Sequence, residues 1–374
     1  MHNAVGSQAV RNYRGFQDSE GKILMRDLLE DPDSYVMSIE RYSCSVVSIV
    51  GWGRRIANKD DYVVQRALDF MERVVDIIVP GAYWMESLPL LAELPRWLYA
   101  LPKGAQAKEQ NFAKSLLSQR SELGLCDKEI AGLTTNLIGG GVDTTSSSMI
   151  SCILTMCVFS EVRRKAHEEL DAVIGSERFP GWDDEEKLPY IQALVKETLR
   201  WRSVTVLGGI PHAPIQDDIY QEYYIPAGTN ITGDLWAIHR NPKNFPDPDV
   251  FRPERYLNGL ERPYPNTRGH NAFGWGRRQC SGQPLAEQGL MHTIAQSLWA
   301  FEIKPGLDEN GNAVRLDIFA YTNGENIRPV PFKARFIPRS EKARETILFN
   351  AEKAREELKI FDGETKLTLA DAVK

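Results

Sequence analysis

Up to Arg202 the apolar positions recur at helical spacing. Residues 25–50 mix Leu and Ile with Asp, Glu and Arg, and turn signals stand at Asp31-Pro32 and Gly51-Trp52-Gly53. Val63, Ala67, Phe70, Val74 and Ile77 or Ile78 form one stripe over 62–79, which Pro80-Gly81 ends. A loop-rich apolar stretch over 82–101 and a polar helix over 105–120 follow. Asp127, an N-cap type, opens a long helical run to about Phe159. A charged amphipathic helix is expected over 161–174, and another over 188–201 from Leu188, Ile191, Leu194, Val195 and Leu199.

Beyond Arg202 the texture changes. Gly208, Gly209, Pro211 and Pro214 break the chain, and Tyr223-Tyr224-Ile225 and Asn230-Ile231-Thr232 flank Pro226-Ala227-Gly228 as a hairpin signal. Residues 239–269 are rich in Pro, Asn and Asp without a period and read as a long coiled meander, a class of loop that usually has a function. A helix over 284–301, short strands over 313–336 and a charged helix over 341–359, with Ile347, Ala351, Ala354 and Leu358 on one side, complete a mostly α chain with a minor strand-rich lobe.

Composition narrows the function. With 42% apolar and 26% charged residues the 374-residue chain reads as globular, and a net charge of −6 argues against nucleic acid as partner. The five cysteines are odd in number and scattered, without zinc-ligand spacing, which fits a reducing compartment. The first twenty residues are polar, and the apolar stretch 149–159 is too short to span a bilayer, so the chain reads as soluble.

The most specific motif is Phe273-Gly274-Trp275-Gly276-Arg277-Arg278-Gln279-Cys280-Ser281-Gly282, followed by Pro284. Its glycines allow a tight loop that brings backbone N–H groups onto a sulfur. The helix beginning at Pro284 turns its positive end to Cys280 and favours the thiolate. Phe273 can shield the sulfur, and Arg278 can reach an anionic group on a flat cofactor. The plainer reading of a lone cysteine in such a loop is an inert buried thiol.

Gly139-Gly140-Gly141-Val142-Asp143-Thr144-Thr145 lies mid-helix, where each glycine costs about 1 kcal/mol relative to Ala. Either a groove for a flat cofactor, an opened hydrogen-bond ladder or close helix packing explains them. Thr144 can hydrogen-bond dioxygen or water, and Asp143 can relay protons. Glu197 and Arg200, three residues apart, can pair on one helix face, with Arg255 of the meander as a third member; a solvated surface pair is the ordinary alternative.

In this order the three motifs resemble the cytochrome P450 family. The resemblance implies the P450 fold as one domain over 1–340 with a charged tail over 341–374, and a chain without the N-terminal anchor and early helices. It implies haem with Cys280 as iron ligand, a thiolate that promotes O–O cleavage, propionate contacts from Arg278 and His212, and a pocket including Phe273, Gly274, Gly282 and Gly141. Asp143 and Thr144 match the family's acid–alcohol pair, and Glu197, Arg200 and Arg255 its structural triad. The implied reaction inserts one oxygen atom from O₂ into an apolar organic molecule, with electrons from NADPH-cytochrome P450 reductase on the cytoplasmic side of the endoplasmic reticulum membrane. The strings Asp217-Asp218, Pro226-Ala227-Gly228-Thr229 and Trp236-Ala237-Ile238-His239 are similar to fungal secondary-metabolism members. A haem-binding chain that no longer catalyses is the second reading; a haem-thiolate isomerase or dehydratase is a third, which the Asp143-Thr144 pair argues against.

Overall fold

Two long helices open the chain, separated where proline removes a backbone donor at Asp31-Pro32. Helix α1 spans Arg14–Glu30 and α2 spans Tyr35–Trp52, with a 3-10 turn, Pro32–Ser34, between them. This is a computed structural model describing residues 5–58, 61, 112–258, 264 and 266–363; the helix expected over 62–79, the loop over 82–101 and the start of the helix over 105–120 lie outside the described residues. Helix α1 begins well before the patterned stretch, because its apolar face (Phe16, Ile23, Leu24) is interleaved with buried Gln17, Ser19 and Glu20 and so hides its period. Gly53 ends α2 in the left-handed conformation (φ 71°), its N–H donating to Ile49 O at 2.8 Å.

Helix α3, Asp127–Val158, is the central element, and α2 lies along it, buried on nearly every side. Its cap is Cys126 rather than Asp127: the Glu129 carboxylate returns to the Cys126 N–H at 2.7 Å, so Asp127 is already the first helical residue. Helices α4 (Ser160–Val173), α5 (Pro189–Trp201), α6 (Gln283–Ala300) and α7 (Glu341–Leu358) follow. The Trp299 indole of α6 is buried on Phe179 and donates to Gly175 O at 2.7 Å, joining α6 to the end of α4. Helix α7 turns Ile347, Ala351, Ala354 and Leu358 inward and packs on α1. Among the described residues no single helix is long and apolar enough to cross a membrane.

Two strand expectations are corrected. Tyr223–Ile225 (β2) pairs antiparallel with Asp218–Tyr220 (β1), not with Asn230–Thr232; the turn is Gln221-Glu222, with Gln221 at φ 54°. Asp217 fixes this register by accepting from the Tyr224 hydroxyl (2.6 Å) and the Ala227 N–H (2.9 Å), so the Pro-Ala-Gly turn lies beyond the hairpin and Ile231 bridges His212 instead. In the region 313–336 the ladder is confined to its end: Ala334–Pro338 (β4) pairs with Phe301–Pro305 (β3), which leaves α6 without a loop. The residues between make only isolated bridges.

Candidate functional site

The cysteine loop is shaped by two left-handed glycines, Gly274 (φ 75°) and Gly276 (φ 56°), which a side chain would strain. Cys280 N–H donates to Phe273 O at 2.8 Å, closing the loop, and Pro284 sits in the first turn of α6 just beyond it. The backbone N–H groups of Gly282 and Gln283 donate to the Cys280 sulfur. Burial nevertheless has the larger effect and holds this thiol above its ordinary range, so the expected thiolate is not delivered by the helix end alone. Cys280 is open to the cavity, although protein surrounds it, whereas burial pushes Cys44, Cys152 and Cys157 up to about 12 and leaves them inert.

The facing wall is α3, which runs unbroken through its glycines. A Cβ on Gly141 would stand 2.4 Å from Val47 Cγ1 of α2, whereas one on Gly140 would meet nothing within 4 Å. Close packing therefore explains Gly141 and an open groove Gly140. Thr144 faces the cavity and donates to Gly140 O at 2.7 Å. Asp143 is buried and turned elsewhere: it accepts from Asn326 Nδ2 at 3.2 Å, and Arg328 stands 3.9 Å away while bonding Glu40 at 2.7 Å.

The two walls enclose a cavity of about 1000 Å³. Cys280, Phe273, Gly274, Gly282, Gly141 and Thr144 line it, together with Arg278 and His212; Asp143 does not. Among the described residues no carboxylate pairs with Arg278 or His212. Ser43, 2% exposed, turns an unpartnered hydroxyl to the same space. A sulfur held by two N–H donors, an open groove at Gly140 and two unpaired donors for carboxylates fit haem. A second, more polar cleft of about 680 Å³ beside Trp182 is crossed by ion pairs such as Lys22–Asp18 and holds none of the predicted residues.

Behind the cysteine loop the triad assembles with every charge engaged. Arg200 Nε and Nη2 donate to the two Glu197 oxygens at 2.9 and 2.7 Å, and Arg255 Nε approaches Glu197 at 3.3 Å. Arg200 Nη1 also reaches His239 O and Pro248 O, so α5 holds the meander directly. His239 supports the loop in a way its sequence did not disclose. The Asn271 N–H donates to its Nε2 at 2.9 Å, which leaves Nδ1–H to donate to Ser203 Oγ at 2.8 Å. Burial keeps this ring neutral, well below the ordinary histidine range. No motif marks Ser43; only packing brings it to the cavity.

Comparison with known proteins gives one answer. The family profile described as Cytochrome P450 matches residues 100–317. A cytochrome P450 monooxygenase of Postia placenta is 34% identical over 91% of this chain and 71% of its own length, and one of Armillaria gallica is 32% identical over 91% and 72%. A zebrafish cytochrome P450 solved with progesterone shares the fold with a TM-score of 0.74 at 21% identity, over 90% of this chain and 80% of that one.

Proposed function

From the premise that this chain belongs to the cytochrome P450 family, as a haem-dependent monooxygenase that uses O₂, an organic substrate and a redox partner, we propose the roles of its residues. Cys280 is the iron ligand, and Arg278 and His212 hold the propionates. The observation carrying this is that all three open onto one cavity with Thr144 on its far wall. Haem, when bound, supplies the reductive splitting of O₂ that places one oxygen atom in the substrate and the other in water.

The protein's part is to orient, exclude water and move protons. Gly282 and Gln283 N–H groups hold the sulfur. Thr144 is the proton donor at the cavity wall, exchanging its bond to Gly140 O for one into the cavity. Asp143 replenishes it after turning from Asn326 and Arg328. Val46, Leu137, Val204 and Leu207 give the cavity apolar walls, which support an apolar substrate. Likeness to fungal members supports an NADPH-dependent flavoprotein reductase as electron donor.

The test is the reduced carbon monoxide spectrum. The haem-loaded chain should show the red-shifted Soret band of thiolate ligation, Cys280→Ala should lose it, and Cys152→Ala, altering a buried thiol, should keep it. A red-shifted band that survives Cys280→Ala would refute the assignment.

A further inference from the structure

The chemistry above leaves Trp275 unused, although it sits at the centre of the cysteine loop. Its backbone is extended (φ −136°, ψ 154°) between the two left-handed glycines, Gly274 and Gly276. This arrangement sends the indole out of the loop and across the segment that follows α5. The six-membered edge of the ring lies there in a slot made of two glycines. A Cβ on Gly233 would stand 2.4 Å from Trp275 Cη2 and 2.5 Å from Cζ3, and one on Gly208 would stand 3.1 Å from Cζ3. Gly233 has no room for a side chain while the ring is in place; at Gly208 a Cβ would first meet the backbone Gly233 O, at 2.8 Å, and then the ring.

The slot belongs to the part of the chain that carries His212. His212 N–H donates to Ile231 O at 3.1 Å, and Ile231 N–H returns to His212 O at 2.7 Å. Residues 208–212 and 231–233 are thereby one bridged unit, and Trp275 is plugged into it from the loop that carries Arg278 and Cys280. A haem held by its iron on one side of this joint and by a propionate on the other requires the joint to be fixed, because second contacts orient first ones.

We infer that Trp275 is a positioning residue: seated in the Gly208/Gly233 slot, it fixes the His212 segment against the Cys280 loop and so sets how firmly haem is retained and how fully Cys280 ligates it. This rests on the reading of Cys280 as iron ligand. The indole acts by shape, with its ring as key and the missing Cβ of Gly233 as lock. Filling the lock must therefore resemble removing the key.

The experiment compares haem-loaded Trp275→Ala, Trp275→Phe, Gly233→Ala and the double variant Trp275→Ala/Gly233→Ala. The readouts are the rate of haem transfer to an excess of apomyoglobin and the Soret band of the reduced carbon monoxide adduct. Trp275→Ala should lose haem about tenfold faster, the scale of outer-shell losses at metal sites, with part of the band moving from the thiolate to the thiol position. Trp275→Phe, which keeps a six-membered ring, should stay within about twofold of the parent on that same scale. Gly233→Ala should resemble Trp275→Ala, and the double variant should be no worse than either single one, because the added methyl then has free space. Wild-type retention and band in Trp275→Ala, a harmless Gly233→Ala, or additive losses in the double variant would each overturn the inference. Should Trp275→Ala fail to fold, Trp275→Phe and Gly233→Ala decide the matter by the same outcomes. Cys280→Ala, run alongside, separates the two levels. A thiolate band that survives it removes the ligand reading itself; a band lost there but unmoved in the Trp275 and Gly233 variants removes only the positioning role.

Discussion

Gly140 and Gly141 are neighbours on α3 with different reasons to lack a side chain. Gly141 is required by contact, since its Cβ would stand 2.4 Å from Val47 Cγ1; at Gly140 nothing lies within 4 Å. Gly141→Ala should therefore lower stability in urea unfolding by about 1–3 kcal/mol, the usual range for overpacking, even after the helix-propensity gain of about 1 kcal/mol. Val47→Ala should restore much of the loss. Gly140→Ala should leave stability unchanged or raise it by up to about 1 kcal/mol while narrowing the cavity. Equal stability of Gly141→Ala and the parent would show that α2 can move away. At this scale the existence of the cysteine loop was legible, because a tight turn around a sulfur at a helix start needs glycines at those spacings. The two glycine roles were not, since both look alike until the neighbouring helix is placed.

Among elements, the joint between α5 and the meander carries a buried ion network. Glu197 and Arg200 are fully buried, and Arg255 nearly so. Glu197→Gln leaves two guanidinium groups without a counter-ion in a dry setting, a change that costs about 3–5 kcal/mol. Thermal unfolding should show a large drop for Glu197→Gln and a smaller one for Arg255→Lys, which keeps a charge beside Glu197 but gives up the guanidinium bonds to Asp247 O at 2.7 Å and Val250 O at 3.3 Å. A Glu197→Gln midpoint within the error of the parent would disprove the buried network. The pairing of Glu197 with Arg200 could be anticipated from their spacing, and so could most helices, because a helix repeats its own pattern locally. The β1–β2 register could not. Its turn, Gln221-Glu222, has no glycine, and what fixes it is Asp217 reaching Tyr224 and Ala227. The β3–β4 ladder joins Phe301–Pro305 to Ala334–Pro338, and no periodicity within either segment names the other.

For the molecule as a whole, three buried histidines set a pH dependence. Burial pushes His167 down to about 4 and His270 to about 3, and holds His239 well below the ordinary range. All three are neutral in the fold at neutral pH, whereas the unfolded chain takes up protons near the ordinary histidine value of about 6.5. Above that value their contribution to stability is complete. As pH falls from about 6.5 toward 5 the unfolded state binds protons that the folded state refuses, and stability declines by up to about 1.4 kcal/mol per pH unit for each histidine. The buried carboxyls of Glu40, Glu287 and Glu325, held above their ordinary range, act in the opposite sense, so the histidine effect is read as a difference: His239→Gln should flatten the fall of urea midpoints with acidity, and an unchanged slope would contradict the neutral assignment of His239. The helical class, the Glu197–Arg200 pairing and, through resemblance, the family were legible in the chain alone, because each is carried by residue types at short fixed separations. The turning of Asp143 to Asn326 and Arg328, the bracing of Asn271 by His239 and the seat of Trp275 against Gly233 came with the folded arrangement. Those outcomes depend on which distant segment fills the space beside a side chain, and packing settles that through shape and hydrogen-bond satisfaction that no local pattern encodes.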